Sequence, residues 1–561
     1  MKTSFKHPYL LRCVMVVTWF SSGALWIIYR SPSLPLDIDE SGYIGFAVRN
    51  CQSFMSGGVW SFLTAVLSRG TFAPLQPFIG TVFGCATNPN IELFIPLLAS
   101  SFFIWEFMRL QKHPFFGLLI IFVCPVYLQY STNFGFTMLS STAFALSALY
   151  SVHSNFFKNF RYSIFSGIAL CVALLTRTMF SAFFVVEIVA DILMLLLFWK
   201  QNLLLRIRNF LISLGFSSFL ALPWYVTHWK SVFGYLTSFG YGVHAKEYGR
   251  VSGIFNWATW KFEWQVFSQT YFTRISILGI LLLLGLLVYQ ATKKLRRCAK
   301  QNIPFTDTNS KRLSLLRIEN QSLPVIFYLL LCIGMLIAMS STVNVTVGGL
   351  LPTLLVTGLV ISHVTGFSVV PNFLSAVGSS TVYIILICVC LMEFSSNPIL
   401  KIGGSTYIKA ASARSEYYKE HGFASPGSSG VNSANSNKWV SAINNLAQSG
   451  RMSHCLVFGF RHPILNVNSV ELQLYYEHAD LSYVTQIDPI QTSSSAEYDA
   501  WVKSFPVDCL VFTDDSAKGQ FPPAPNFGLL KQALIGQAYS SKRIVKLPDG
   551  SLISEWRPTS K

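Results

Sequence analysis

The chain has 561 residues, of which 52% are hydrophobic and only 12% are charged. Soluble domains carry about 25% charged residues, so this composition excludes an ordinary water-soluble protein and indicates an integral membrane protein. The formal net charge is +17, but the Lys and Arg residues lie in short segments between apolar runs. That distribution is typical of cytoplasmic loops and gives no support to nucleic-acid binding.

Hydropathy predicts about eleven membrane helices, because a span needs roughly 20 mostly apolar residues. We place them at 9–29, 91–110, 114–130, 135–152, 162–177, 178–199, 208–226, 274–292, 323–341, 347–366 and 374–394. Segment 73–87 contains Pro74 and Pro77 and is too short to span, so we interpret it as a re-entrant or interfacial helix. The first helix is interpreted as a retained anchor, since no small-residue cleavage pattern follows Tyr29.

Basic residues predict the orientation of these helices. With the N-terminus inside, the short loops that carry clustered Lys and Arg, including 293–317, all face the cytoplasm. The long outward loop predicted at 227–273 is the exception, since it carries Lys230, Lys246 and Arg250. Eleven spans place the C-terminal tail outside the cytoplasm.

The chain divides into a transmembrane domain (1–395), a Ser/Gly/Asn-rich linker (396–437) and a soluble extracytoplasmic domain (438–561). Short apolar runs alternate with amphipathic stretches in the last part, which predicts a small α/β domain. We expect helices near 438–448, 468–478, 495–504 and 527–537, strands near 455–460, 482–487 and 508–513, and a closing hairpin at 548–550. This part lacks the glycine spacing of a nucleotide-binding loop.

Two cysteines in the tail, Cys455 and Cys509, each open a similar apolar run, so they could lie on neighbouring strands. We interpret them as buried thiols, because free Cys is among the most buried residue types, and we keep a disulfide as the alternative. The eleven cysteines of the chain show no spacing typical of a zinc site.

An acidic cluster follows the first helix, where Asp37, Asp39 and Glu40 lie within four positions. Carboxylates this close repel one another, so they are typical of places that bind a cation or abstract a proton. The alternative is a solvated loop without a role. We favour a functional site, because the chain is poor in acids outside the tail.

The same region carries a resemblance to a known family. A first helix, an acidic pair with Tyr43 three residues after the second acid, and Pro74-Leu75-Gln76-Pro77 running to Phe83-Gly84 together resemble the C-type glycosyltransferase superfamily. The pattern covers roughly residues 9–275 and is most similar to the protein mannosyltransferase and bacterial aminoarabinose transferase branch. This resemblance implies transfer of a sugar from a polyprenyl-phosphate carrier to a lipid, glycan or protein acceptor. It also implies an extracytoplasmic reaction site in a bacterial inner membrane, with Asp39 and Glu40 as catalytic residues.

These residues suit that chemistry. Displacing a lipid phosphate from a sugar carbon requires a carboxylate that accepts the acceptor's proton and positive charge that holds the departing phosphate. We assign the base role to Asp39. Glu40 and Asp37 either orient the acceptor or help to hold a divalent cation, for which Asp39 and Glu40 are the candidate ligands.

Candidate cations for the phosphate come from two segments. Arg177 ends a predicted helix at its outward side, and Lys230, Lys246 and Arg250 lie in the predicted outward loop. Arg177 could instead only extend to the membrane interface. His244 and the Tyr and Trp residues of the loop could stack on sugar faces, or they could form the aromatic belt that is common beside a bilayer.

The sequence departs from the family at 130–138, where related enzymes often place another acid and this chain has none. The departure leaves dependence on a metal undecided.

Two rival functions remain. Glu187 and Asp191 share one face of a predicted membrane helix, and paired intramembrane acids suit a proton-coupled transporter or flippase. The hydropathy pattern shows no inverted repeat, which many secondary transporters have. The second rival is a diverged, non-catalytic member of the superfamily.

Overall fold

The computed structural model of the chain describes residues 8–29, 36, 38–68, 70–84, 89–111, 114–197, 202–241, 257, 261, 285, 322–338, 349–365, 400–402, 405–408, 433–451, 453, 455–462, 464–477, 483–487, 494–506, 508–515, 525–547 and 550–559. The predicted helix 374–394 and nearly all of 274–292 lie outside these residues, as does most of the predicted linker.

The transmembrane region is mostly helical. Its described helices are α1 (Pro8–Tyr29), α2 (Ile38–Leu67), α3 (Leu75–Gly84), α4 (Phe94–Leu110), α5 (Pro114–Val123), α6 (Pro125–Ser131), α7 (Thr137–His153), α8 (Phe160–Thr176), α9 (Phe180–Leu197), α10 (Leu203–Tyr241), α11 (Ser322–Ala338) and α12 (Leu350–Thr365), with a 3-10 helix (Pro89–Leu93) before α4. Among the described residues, three helices are long and apolar enough to cross a membrane: Tyr9–Ile28, Ile91–Leu110 and Leu203–Ser238. These three helices agree with an integral membrane protein.

Helix α2 occupies most of the stretch that the sequence predicts as the first outward loop, so this connection is helical. Acids in its first turn favour the helix, because they interact with the positive end of the helix dipole. Its second half is interrupted at Gly58, where φ is 65°, and leaves Met55 and Trp60 exposed. Hydropathy misses α2 because polar and small residues interrupt its apolar positions.

Two other helix predictions differ from the structure at positions near a proline. The single helix predicted at 114–130 is two helices, because Pro125 lacks the backbone N–H that would continue α5 and instead opens α6. Pro223, in contrast, lies inside α10, which continues to Tyr241. The outward loop predicted at 227–273 therefore begins as a helix.

Glycines set the closest helix contacts in the bundle. A Cβ added to Gly167 in α8 would lie 2.2 Å from the carbonyl oxygen of Ser213 in α10. A Cβ added to Gly117 in α5 would lie 2.3 Å from the carbonyl oxygen of Gly358 in α12. Small residues permit backbones to approach in this way, as is common in membrane helix bundles.

The C-terminal tail forms a small sheet domain, as predicted. Its elements are α13 (Ser433–Arg451), β3 (Cys455–Phe458), α14 (Val467–Tyr476), β4 (Tyr483–Gln486), α15 (Ser495–Lys503), β5 (Leu510–Asp514), α16 (Phe527–Gly536), β6 (Tyr539–Lys546) and β7 (Leu552–Pro558), after a two-stranded ribbon of β1 (Leu400–Ile402) and β2 (Ser405–Ile408). The sheet order is β4-β3-β5-β7-β6, with β3 parallel to β4 and β5, and β7 antiparallel to its neighbours.

Cys455 and Cys509 form a disulfide, so our preferred interpretation of two buried thiols is wrong. The sequence places them correctly on neighbouring elements: β3 pairs with β5 in a parallel register that aligns Leu456 with Leu510. The Cα atoms of the two cysteines are consequently 4.6 Å apart, within the range that a disulfide spans.

Replacing Gly167 by Ala should destabilise the protein, since the added methyl group meets the α10 backbone. Overpacking of this kind costs about 1–3 kcal/mol, which we expect as a lower midpoint of thermal unfolding in detergent. Gly215→Ala, also in α10, is the control, because a Cβ there meets nothing within 4 Å. Equal midpoints for the two variants would contradict the close approach of α8 and α10.

Candidate active site

The acidic pair lies in the first turn of α2, and its two members have different surroundings. Asp39 is exposed, whereas Glu40 is fully buried. The backbone N–H of Phe134 donates a hydrogen bond of 3.1 Å to Glu40 Oε1. Glu40 therefore joins α2 to the connection before α7, while Asp39 faces the space outside.

Tyr43, one helical turn after Asp39, belongs to an aromatic wall. Its ring stacks on Phe136, with 3.9 Å between centroids, and Phe72 meets both rings edge-on. Phe46 extends the same group. The predicted binding residue Tyr43 is thus held in a fixed orientation beside the acids.

Arg177 reaches the same end of the bundle. It follows the last residue of α8, and its guanidinium donates a hydrogen bond to the hydroxyl of Thr137, the residue after Phe136. Thr178 donates to the carbonyl oxygen of Thr71 at 2.7 Å. Residues 134–137 therefore connect Arg177, Tyr43 and Glu40 through their contacts.

The remaining predicted cations are only partly described. Lys230 is exposed on α10, not in a loop, and it follows His228, whose ring lies near Gly70. Asp37, His244, Lys246 and Arg250 lie outside the described residues.

A group of buried polar residues, which we call the Glu92 cluster, lies behind the acidic pair and was not predicted from the sequence. Gln76 donates to the carbonyl oxygen of Phe134 at 2.7 Å, and Asn50 donates to that of Pro77. Within the described part of the chain, the side-chain oxygens Gln76 Oε1 and Asn50 Oδ1 have no hydrogen-bond partner. Both are buried, so each carries an uncompensated desolvation cost.

Glu92 is the most unusual member of this cluster. It is 1% exposed, and neither carboxyl oxygen has a hydrogen-bond partner among the described residues. A Cβ added to Gly80 would lie 2.9 Å from Glu92 Oε2 and 3.0 Å from the Phe134 ring. Tyr476 completes the cluster. Its buried hydroxyl has no hydrogen-bond partner in the ranges that the structure describes, and burial together with the charge of Glu92 raises the pKa of Tyr476. A lone acid at the start of a predicted span is the signal that could have identified Glu92.

Tyr476 belongs to the tail, and the tail packs directly on α2. The backbone of α2 approaches α14 closely at Gly42, where a Cβ would lie 2.9 Å from the Asn468 side chain. Gln52 donates a 2.6 Å hydrogen bond to the carbonyl oxygen of Tyr475, and the Arg49 guanidinium lies 5.4 Å from the centre of the Tyr475 ring. The soluble domain therefore contacts the helix that carries the acids.

An apolar groove of about 500 Å³ lies along α10, beside the start of α9. It is lined by Ser181, Tyr225, Val226, Trp229, Val232, Phe233 and Leu236, from α9 and α10. The Tyr225 hydroxyl donates to the carbonyl oxygen of Leu174 at 3.1 Å, which fixes one end of the groove beside the end of α8. Its lining is apolar enough to hold a hydrocarbon chain.

Glu187 and Asp191 share a buried face of α9, as predicted. Ser147 donates to Glu187 Oε1 and Ser151 donates to Asp191 Oδ1, both at 2.8 Å. The Tyr328 hydroxyl of α11 donates to Asp191. Within the described part of the chain neither acid forms an ion pair, and Glu187 Oε2 has no partner. This network lies along the second half of α7, away from Asp39.

The sequence matches no family model, and no characterised protein is significantly similar to it.

Glu92→Gln should raise the stability of the protein, because ionisation of a carboxyl group that is buried without a described partner costs free energy, whereas the amide stays neutral. We expect an increase of about 1–3 kcal/mol, measured as a higher midpoint of thermal unfolding. Glu106→Gln is the matched control: that carboxylate binds Arg109 through two oxygens, so its loss should lower stability. A lower midpoint for Glu92→Gln would indicate that Glu92 stabilises the fold.

Proposed function

We propose that the protein is a membrane glycosyltransferase that moves a sugar from a polyprenyl-phosphate carrier to a lipid, glycan or protein acceptor. One observation carries the proposal: an exposed acid, Asp39, shares one end of the bundle with Arg177, and an apolar groove on α9 and α10 begins beside the last turn of α8, which Arg177 follows. These three parts meet the needs of a base, an anionic leaving group and a hydrocarbon tail.

The proposed reaction is one displacement at the anomeric carbon. The acceptor hydroxyl gives its proton to Asp39, and the acceptor oxygen forms the new bond to that carbon. The bond between sugar and phosphate breaks, its electron pair stays on the polyprenyl phosphate, and Arg177 stabilises the resulting negative charge. A single displacement inverts the configuration of the sugar.

Glu40 positions the base, because its hydrogen bond to the Phe134 N–H fixes the first turn of α2. Asp39 and Glu40 alone do not suit a bound divalent cation, since one oxygen of Glu40 already accepts the amide and such ions take about six oxygen ligands. The described residues contain no group of three metal-binding side chains. The proposal therefore assigns no step to a metal.

The proposed architecture is that of a C-type glycosyltransferase with about eleven spans in a bacterial inner membrane, and with the tail outside the cytoplasm. Disulfides support the placement of α2 and the tail outside the cytoplasm. Cys51 of α2 and the Cys455–Cys509 pair are disulfide-bonded, which is typical of proteins outside the cytoplasm. The positive-inside bias supports a cytoplasmic location for the other end of the bundle. Arg161 and Arg206 lie at this end, opposite Asp39.

A transporter is the second candidate, and the buried Glu187–Asp191 network favours it. Two acids that share Tyr328 and form no described ion pair could exchange protons during transport. The two candidates predict opposite sensitivities for Asp39 and Glu187.

Asp39→Asn should reduce sugar transfer by about two to four orders of magnitude, since Asn keeps the shape of Asp but cannot accept the proton. The measurement is transfer from a radiolabelled polyprenyl-phosphate sugar in membranes with equal amounts of each variant. Glu40→Gln should have a smaller effect, and Asp499→Asn, in α15, should have none. Near-normal transfer by Asp39→Asn would contradict the role of Asp39 as the base.

Arg177→Gln should raise the KM for the lipid-linked donor without changing the KM for the acceptor, because only the donor carries the phosphate. Lys158→Gln removes an exposed charge at the opposite end of the bundle and serves as the control. If the two variants have the same donor KM, Arg177 belongs to the interface and has no role in donor binding.

A further inference from the structure

A second cavity, of about 490 Å³, lies between α4, α7 and α8 and runs along α7 from Leu139 to Tyr150. Its wall is apolar and includes Phe102, Phe165 and Ile168, and its polar end is formed by Glu106, Arg109 and Arg161. This polar end lies far from the Asp39 site, because Thr137 and Tyr150 are about 20 Å apart along α7, given 1.5 Å per helical residue. The cavity shares no lining residue with the groove along α9 and α10.

The mouth of the cavity opens sideways from the bundle. Phe102 of α4 and Ile168 of α8 flank it, and their side chains are 52% and 44% exposed. Phe102 belongs to a helix that is long and apolar enough to span the membrane. The molecules that would meet this mouth are therefore the lipids of the bilayer.

The polar end carries more positive than negative charge. Glu106 is paired by Arg109 and accepts a hydrogen bond of 2.9 Å from the Tyr150 hydroxyl. Arg161 is exposed, lies 5.5 Å from the centre of the Phe165 ring, and forms no ion pair among the described residues. One acid and two cations therefore line this end of the cavity.

We propose that this cavity binds an anionic phospholipid of the surrounding bilayer, with an acyl chain inside and the phosphate on Arg161. The volume lies within the usual range for a ligand pocket, and its apolar wall suits a hydrocarbon chain. Arginine binds phosphate through several N–H groups that lie in one plane. Arg161 can bind an anion without breaking an ion pair to any described acid. Charge complementarity distinguishes this lipid from a zwitterionic one.

The test uses the full-length protein in detergent and measures its thermal stabilisation by phosphatidylglycerol, by phosphatidylcholine with the same chains, and by inorganic phosphate. Arg161→Gln should weaken the response to phosphatidylglycerol at least about tenfold in lipid concentration, since a charge-assisted phosphate contact is lost. Arg208→Gln, an exposed arginine at the same end that does not line the cavity, should leave it unchanged. Ile168→Trp should abolish it, because the larger ring fills the mouth.

Three outcomes would overturn the proposal. Equal loss in the Arg161 and Arg208 variants would mean that general charge attraction explains the binding. An equal response to the two lipids would remove the role of the headgroup charge. Stabilisation by inorganic phosphate alone would indicate a site for a free anion and not for a lipid.

Discussion

The hydrogen bond from the Phe134 N–H to Glu40 is the interaction on which the candidate site depends. It connects the first turn of α2 to the connection before α7, where Phe136 stacks on Tyr43 and Thr137 accepts a hydrogen bond from Arg177. Because Glu40 is buried and engaged in this way, its neighbour Asp39 is the acid that remains exposed. A pair of adjacent acids thus divides into a positioning residue and a residue that can meet a substrate.

The soluble tail is part of the same assembly. Contacts at Gly42 and Gln52 join α14 to α2, and Tyr476 closes the Glu92 cluster behind the acids. Buried oxygens without partners reduce stability, and proteins retain such groups where function requires them. On our proposal the tail stabilises α2 in the position that places Asp39 at the acceptor, and the cost of the Glu92 cluster is offset by the packing of the two domains.

Hydropathy predicted those helices whose apolar residues decide their position: α7, predicted at 135–152, spans Thr137–His153. It could not predict α2, which is held by contacts with α14, more than 400 residues away in the sequence. The Glu92 cluster was missed for the same reason, since the burial of its members is decided by distant elements. The strands at Cys455 and after Cys509 were predicted correctly. The disulfide was not, because an apolar run is equally compatible with a buried thiol and with a disulfide.

A structure of the protein with a polyprenyl phosphate tests the central claim most directly. Our account predicts the phosphate within hydrogen-bonding distance of Arg177, the prenyl chain along the groove that Trp229 lines, and Asp39 facing the space where the sugar would lie. A lipid bound beside Glu187 and Asp191, with the groove along α9 and α10 unfilled, would contradict it.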